Sequence, residues 1–160
     1  MLWMVGEGPL LSEARRFVDQ SGMENSVVFA GACSQQEVAE RMRQVRAFVQ
    51  HSLVASDGDS EGNPVAVMEA QLSGLPVIAT RHAGIPEVVL DGETGVLVAE
   101  GDVDAMADAM LTLLEKPMLA QQFGQAGQKR AREHFTVEHH LRDVTELLLR
   151  VGTSSREQQR

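Results

Sequence analysis

The stretch that decides the fold is "DGDSEGNPVAVMEAQLSGLPVIAT", residues 57–80. It joins a loop rich in acids and glycine to a helix-like run that begins near Pro64 and stops at Gly74, followed by the apolar run LPVIAT. Proline suits the first turn of a helix, and glycine suits the position just past its end. The stretch therefore predicts a loop, then a helix over about 64–73, and then a buried strand over 75–80.

On both sides of this stretch, short apolar runs alternate with helical patterns. The apolar runs predict four further strands, at 2–5, 26–31, 47–52 and 95–99. Strands that alternate with helices indicate a parallel sheet. We therefore expect an α/β protein with a Rossmann-like parallel sheet and helices on both faces. The expected domain covers residues 1–150, and 151–160 forms a polar, frayed tail.

Local signals mark the predicted helices. The run at 12–22 places Ala14, Phe17 and Val18 on one face. Another helix begins after Ser34, where Glu37 completes a capping box. Asp102 caps a long helical region, Pro117 restarts it, and the last helix covers about 137–150.

Composition excludes several classes of protein. The net charge of −9 argues against nucleic acid as the main partner, because such a face needs clustered Lys and Arg. Cys33 is the single cysteine, which excludes an internal disulfide framework or a cysteine-rich zinc site and predicts a small buried side chain. No apolar run reaches the length of a membrane span, so a cytoplasmic location is the default expectation.

Parallel α/β sheets bind ligands outside the carboxyl ends of their strands, which is where the loop 57–63 is expected. The first N–H groups of the following helix lack partners within the helix and lie at the positive end of its dipole. Pro64 donates no hydrogen bond, so an anion would be held by backbone donors that begin at Gly62. These donors are Gly62, Asn63, Val65 and Ala66.

Glu61 and Glu69 are eight residues apart around this helix start. Eight helical steps span roughly 12 Å, which exceeds the roughly 5–9.5 Å between the two carboxylates of a glycosidase. Carboxylates farther apart suit an elongated ligand that carries hydroxyl groups at both ends, such as a sugar-diphosphate-nucleoside. The alternative that the residues leave open is an acid that complements the helix dipole plus one exposed glutamate.

Other polar residues give weaker signals. His51 at the end of a predicted strand fits a pocket-lining role and a structural role equally. His82 lies in a turn whose sequence, HAGIPE, lacks the serine of a nucleophile elbow. His139 and His140 are adjacent and face apart on a helix, so they form a poor metal pair. Arg81 could reach a phosphate, but a surface role is favoured.

The motifs together resemble the retaining glycosyltransferases of family 4, which have the GT-B fold. "EGNPVAVME" is similar to the E-x7-E motif of that family. The resemblance extends in order through the following segments, to about residue 150: "VGEGP", "VVFAG", residues 57–80, "HAGIPEVVLDGETGVLV" and "HFTVEHHL".

The resemblance implies that the chain is the nucleotide-sugar-binding half of a GT-B enzyme. It assigns Glu61 to the donor sugar as the catalytic residue and Glu69 to the ribose hydroxyl groups. It also implies that the backbone of Gly62, Asn63, Pro64, Val65 and Ala66 holds the sugar and diphosphate, while Ala32 and Cys33 offer backbone contacts to the nucleobase. The family needs no bound metal or cofactor for its chemistry, and the nucleotide-sugar is a substrate.

The resemblance further implies that a first strand and helix, with a glycine-rich turn and a basic pair, and an acceptor-binding amino-terminal domain lie outside this sequence. The strands at 2–5 and 47–52 would then each lack a partner, which predicts weak stability, a rearranged sheet or self-association. The fragment alone would be inactive, and its parent would be peripheral to the inner face of the membrane. The alternative is a non-catalytic nucleotide-sugar-binding or interaction module that docks on a separate partner. Nucleobase, sugar and acceptor stay unspecified.

Overall fold

A computed structural model describes residues 1–55, 58, 60, 62 and 64–157, with backbone alone from residue 151 onward. The chain divides into two compact units, unit 1 over Met1–Gln44 and unit 2 over Val45–Arg160. Each unit contains its own sheet, with two paired strands in unit 1 and three in unit 2. All strand pairs are parallel, as the alternation of strands and helices predicts.

Unit 1 consists of two strand–helix pairs. Its elements are β1 (Leu2–Val5), α1 (Leu11–Gln20), β2 (Val27–Gly31) and α2 (Gln35–Met42). The predicted capping box begins α2: the Ser34 backbone N–H donates to Glu37 Oε2 at 2.8 Å, and the Glu37 N–H donates to Ser34 Oγ at 3.3 Å. The backbone N–H of Ser34, together with its hydroxyl, holds the pKa of Glu37 below its ordinary value. Local capping chemistry therefore fixes the start of α2.

The apolar surface of unit 1 is less covered than the sequence suggests. All four residues of β1 are exposed. On α1, Val18 is buried and Phe17 is 63% exposed. Ala14, Phe17 and Val18 line the same apolar depression beside β1 and β2, as predicted for residues on one face of the helix. The Arg41 guanidinium lies 4.2 Å from the centre of the Trp3 ring and covers one of its faces.

Unit 2 is built around a buried strand. Its elements in chain order are β3 (Phe48–Gln50), α3 (Val65–Leu72), β4 (Val77–Thr80), α4 (Ile85–Val88), β5 (Gly95–Val98), α5 (Val103–Glu115), α6 (Pro117–His134) and α7 (Val137–Glu157). β4 lies between β3 and β5, with Val77 beside both Phe48 and Gly95. Every residue of β4 is buried. Its continuous apolar run matches a strand covered on both faces.

The core of unit 2 joins β4 to the two long helices that follow β5. Ile78 packs with Ala109 and Leu113 of α5 and with Ala120 and Phe123 of α6. The predicted signals at these helices are confirmed. Asp102 Oδ1 accepts the N–H of Ala105 at 2.9 Å, and α6 begins at Pro117.

The sheets differ from the single sheet predicted from the sequence. β1 and β3 are each an edge strand of their own sheet, with a strand partner on one side only among the described residues. These are the two strands that the resemblance expects beside an additional central strand. The self-association predicted from these edges stays a prediction.

Two element boundaries also differ. β3 is shorter than the predicted strand at 47–52, so His51 follows the strand. α7 continues to Glu157, into the segment predicted as a polar tail, because residues 151–157 contain no proline and helix propagation adds one hydrogen bond per residue. No helix among the residues described is both long and apolar enough to cross a membrane.

The backbone of α6 packs closely against the backbone at the end of α3. Gly74 follows the end of α3 with φ of +78°, in the left-handed region that favours glycine. A Cβ on Gly124 of α6 would lie 2.1 Å from the carbonyl oxygen of Gly74. Gln128 Nε2 adds a hydrogen bond to the Leu72 carbonyl oxygen at 2.8 Å. Glycine at 124 is therefore required by the packing of α6 on α3.

Gly124→Ala is expected to lower the free energy of unfolding by about 1–3 kcal/mol, because a backbone carbonyl cannot turn away as a side chain can. Thermal melting followed by circular dichroism should show a Tm lower by roughly 2–12 °C. Gly127→Ala is the matched control on the same helix. Its added Cβ would meet only the side chain of Gln71, at 3.3 Å, so its loss should be smaller. A Gly124→Ala variant as stable as the wild type would contradict this packing.

Candidate functional site

The candidate site lies at the carboxyl edge of the sheet in unit 2. β3, β4 and β5 run parallel, so their carboxyl ends share one edge. The segments that leave them are 51–64 after β3, 81–84 after β4 and 99–102 after β5. Ligands of parallel α/β sheets bind at such an edge.

The segment after β3 is bonded to the end of β4 and to the segment that follows β4. Thr80 Oγ1 donates to the Ser52 carbonyl oxygen at 2.6 Å. The N–H of Gly84 donates to the carbonyl oxygen of Gly62 at 2.8 Å. These bonds hold the beginning and the end of the segment at the sheet edge. Glu61 and Asn63, two of the predicted site residues, lie outside the described residues.

The start of α3 is exposed at Gly62 and Val65. Pro64 is buried and precedes the helix with an extended backbone, φ −68° and ψ 118°, so it caps α3 and does not occupy its first turn. Val65 and Gly62 are exposed and Ala66 is half-buried. A Cβ added to Gly62 would meet no atom of the described residues within 4 Å. Gly62, Val65 and Ala66 therefore lie at least partly at the surface, near the helix start.

Glu69 lies on α3, one turn beyond the helix start. It is half-buried, while its neighbours Val67, Ala70 and Gln71 are buried. The buried face of α3 is fixed through Gln71, whose Nε2 donates to Thr94 Oγ1 at 3.1 Å. Glu69 therefore lies on a helix whose position is fixed by packing.

Three side chains form a hydrogen-bonded chain that sequence reasoning missed. His82 is 2% exposed. Its Nδ1 lies 2.7 Å from Glu100 Oε1, and its Nε2 lies 3.0 Å from Ser60 Oγ. A carboxylate only accepts hydrogen bonds, so Nδ1 carries the proton. In the neutral ring Nε2 then accepts the hydroxyl proton of Ser60.

Glu100 connects the segments that follow β3, β4 and β5 through hydrogen bonds to Val54 and His82. The hydrogen bond from His82 is the main cause that holds the pKa of Glu100 below its ordinary value. The other carboxylate oxygen accepts the N–H of Val54 at 3.4 Å. Ser60, His82 and Glu100 come from three separate loops, so the sequence does not place them together. The one sequence signal was a histidine two residues after a buried strand.

The turn after β4 has an unusual backbone. Ala83 has φ of +44°, the left-handed region that L-residues with a Cβ avoid. The N–H of Ile85 donates to the His82 carbonyl oxygen at 3.0 Å, which closes the turn before α4. Hydrogen bonds from His82 and Gly84 on either side therefore hold Ala83 in this conformation.

The remaining candidates have local structural roles or lie elsewhere. Arg81 is paired with the Asp91 carboxylate, and both side chains are exposed, which fits the favoured surface role. His51 is exposed. Within the described part of the chain, no three His, Cys, Asp or Glu side chains group as metal ligands. His139 Nδ1 instead lies 2.8 Å from Thr136 Oγ1.

Ala32 and Cys33 belong to unit 1, directly after β2. Ala32 is exposed. Cys33 is half-buried, which corrects the prediction of a buried side chain, and its Sγ lies 3.9 Å from the Ala30 carbonyl oxygen. It is less buried than predicted because it lies in the turn between β2 and α2, outside both elements.

Glu100→Gln is expected to reduce the sensitivity of folding to acid. Folding lowers the Glu100 pKa, so the stabilisation by this carboxylate is fully present above the ordinary glutamate value of 4.5 and is lost as the pH falls through the lowered value. Urea unfolding at a series of pH values between about 3 and 7 measures this loss. The wild type should lose more stability below about pH 5 than Glu100→Gln does.

Glu93→Gln, a change at an exposed carboxylate in the turn before β5, is the control and should follow the wild-type curve. Parallel acid curves for Glu100→Gln and the wild type would show that the bond to His82 contributes nothing to stability.

Comparison with known proteins identifies relatives of the chain. Residues 1–130 match the family described as glycosyl transferases group 1. The chain is 37% identical over 110 residues to the amylovoran biosynthesis glycosyltransferase AmsK of Erwinia amylovora, a match that covers 69% of this chain and 27% of that protein. It is 35% identical over 135 residues to the GDP-mannose-dependent alpha-(1-6)-phosphatidylinositol monomannoside mannosyltransferase of Mycolicibacterium smegmatis, which covers 84% of this chain and 35% of the relative. The chain thus spans about a quarter to a third of the length of these relatives.

Solved structures with the same fold support this kinship. Anabaena HepE in complex with UDP-glucose superimposes with a TM-score of 0.79 at 25% identity, covering 91% of this chain and 40% of that one. Sucrose-phosphate synthase from Thermosynechococcus elongatus gives a TM-score of 0.78 at 26% identity, covering 96% of this chain and 39% of that one. The predicted α/β fold of the GT-B class is confirmed.

Proposed function

The chain belongs to the group 1 glycosyltransferases, and from this premise we propose that it forms the nucleotide-sugar-binding part of a retaining enzyme. The observation that carries the proposal is the open start of α3 at the carboxyl edge of the sheet, with Glu69 half-buried one turn further on. The transferred sugar would come from a nucleotide-sugar donor and go to an acceptor bound elsewhere.

The diphosphate of the donor would bind at the start of α3. The N–H groups of Val65 and Ala66 belong to the first helical turn, where backbone donors have no acceptor within the helix. Gly62 and the backbone of Asn63 would extend this row of donors, and Pro64 would shape it without donating. The positive end of the helix dipole would stabilise the charge that develops on the departing diphosphate.

The two glutamates would bind opposite ends of the donor. Glu69 is proposed to accept hydrogen bonds from the ribose hydroxyl groups, a task that suits a carboxylate fixed on a packed helix. Glu61 is proposed to orient the donor sugar and to stabilise positive charge at its anomeric carbon. Ala32 and Cys33 are proposed to contact the nucleobase through their backbone. No metal or cofactor is required by this scheme.

The acceptor is proposed to bind to an additional domain. The short span of the match supports this, because the relatives are about three to four times longer than the matched segments. A cytoplasmic enzyme peripheral to the membrane fits the phosphatidylinositol acceptor in the name of one relative. The exposed residues of β1 offer a surface for self-association or for that domain.

Glu69→Ala is expected to weaken nucleotide binding about 10- to 100-fold, the effect of losing hydrogen bonds to a charged group. UDP and GDP are the probes, because HepE is solved with UDP-glucose and one relative is named for its use of GDP-mannose. Isothermal titration calorimetry on the full chain measures the dissociation constants of both. Glu115→Ala, at the exposed end of α5, is the control and should bind as the wild type does. Equal affinity of Glu69→Ala and the wild type would rule out the ribose role.

A further inference from the structure

We propose that His82 is a positioning residue for the segment that carries Glu61, and this inference rests on the proposed function of Glu61 at the donor sugar. His82 would act through Ser60 and would not itself contact the donor. Its buried ring would fix the position of the loop before α3 relative to the carboxyl edge of the sheet.

The loop is held on both sides of Glu61. Ser60 and Gly62 flank this residue in the sequence. The Ser60 hydroxyl binds His82 Nε2 at 3.0 Å, and the Gly62 carbonyl accepts the N–H of Gly84 at 2.8 Å. Both partners belong to the short turn after β4. Ser60 and Gly62 are therefore both bonded to this turn.

The ring of His82 is well suited to this task because it is fixed at its other nitrogen. Glu100 accepts from Nδ1 at 2.7 Å, and the ring is 2% exposed, so it has little freedom to rotate. Glu100 also accepts the N–H of Val54, near the start of the same loop. The chain from Glu100 through His82 to Ser60 therefore connects two points of the loop to the end of β5.

A space-filling role alone does not account for this arrangement. Burying an imidazole costs free energy unless its polar atoms are hydrogen-bonded, and an apolar side chain would fill the same volume without that cost. The hydroxyl that satisfies Nε2 belongs to Ser60, an exposed residue of the loop, and not to a residue of the core. The adjacent left-handed Ala83 marks a turn whose shape is maintained against a conformational cost.

Two parts of donor binding should respond differently to the loss of His82. Glu69 lies on α3 and is positioned by helix packing, so ribose contacts should not depend on His82. Contacts of Glu61 to the sugar should depend on it. Loss of the bond between Ser60 and His82 should therefore weaken binding of the nucleotide-sugar more than binding of the nucleoside diphosphate.

The test uses three variants of the full chain and one control variant. Ser60→Ala removes the hydroxyl at an exposed position, and Ser60→Thr restores it. His82→Asn keeps a donor near the place of Nδ1 for Glu100 but is too short to reach Ser60. His140→Ala, at an exposed histidine on α7, is the matched control. Thermal melting establishes that each variant is folded.

The first measurement needs no ligand. Amide hydrogen exchange of Gly84, whose N–H binds the Gly62 carbonyl, is followed by NMR. In Ser60→Ala and His82→Asn this amide should exchange about tenfold faster than any loss of global stability accounts for, because the loop opens locally. Ser60→Thr and His140→Ala should exchange as the wild type does. Unchanged exchange in both Ser60→Ala and His82→Asn would overturn the proposal.

The second measurement compares UDP with UDP-glucose and GDP with GDP-mannose by calorimetry. Ser60→Ala and His82→Asn should weaken binding of the nucleotide-sugar at least fivefold more than binding of the matching diphosphate. Equal loss for both ligands, or no loss, would overturn the positioning role while leaving the proposed function intact. If the wild type binds none of the four, the proposed function fails and this inference fails with it.

Discussion

The parallel pairing of β4 with strands on both sides is the constraint on which unit 2 depends. β4 is buried along its whole length and fixes the register of β3 and β5. Because the three strands are parallel, their carboxyl ends lie together, and so do the loops that leave them. Thr80, the last residue of β4, binds the Ser52 carbonyl directly. The turn that holds His82 and Gly84 begins immediately after it.

This arrangement shows how a chain with a net charge of −9 can offer a place for an anion. Arg81 at the sheet edge is engaged by Asp91, so the proposed anion site uses the backbone of the α3 start. Backbone donors carry no charge of their own, and their dipoles are fixed before a ligand arrives. The carboxylates nearby would then bind hydroxyl groups of the ligand without contacting its phosphates.

Sequence reasoning succeeded where the signal is local. Ser34 with Glu37, Asp102, Pro117 and Gly74 each mark a helix end through chemistry within a few residues, and the structure has all of them. The apolar run of β4 likewise indicates a strand that is buried on both faces of the sheet.

It failed where the outcome depends on contacts distant in sequence. Ser60 meets His82 across 22 residues and His82 meets Glu100 across 18, and no periodicity predicts such bonds. The sequence predicts that Phe17 shares a helical face with Ala14 and Val18, but it does not show which neighbour covers that face, so the 63% exposure of Phe17 could not be predicted. The division into two sheets depends on strand partners, which the order of elements along one chain does not fix.

The central claim is that the start of α3 binds the donor diphosphate and that Glu69 binds its ribose. A crystal structure of the full chain with UDP or GDP, whichever binds, tests this most directly. The account predicts diphosphate oxygens within hydrogen-bonding distance, about 3 Å, of the Val65 and Ala66 nitrogens, and ribose hydroxyl groups at the Glu69 carboxylate. A nucleotide bound away from α3, or a ribose that does not touch Glu69, would contradict it.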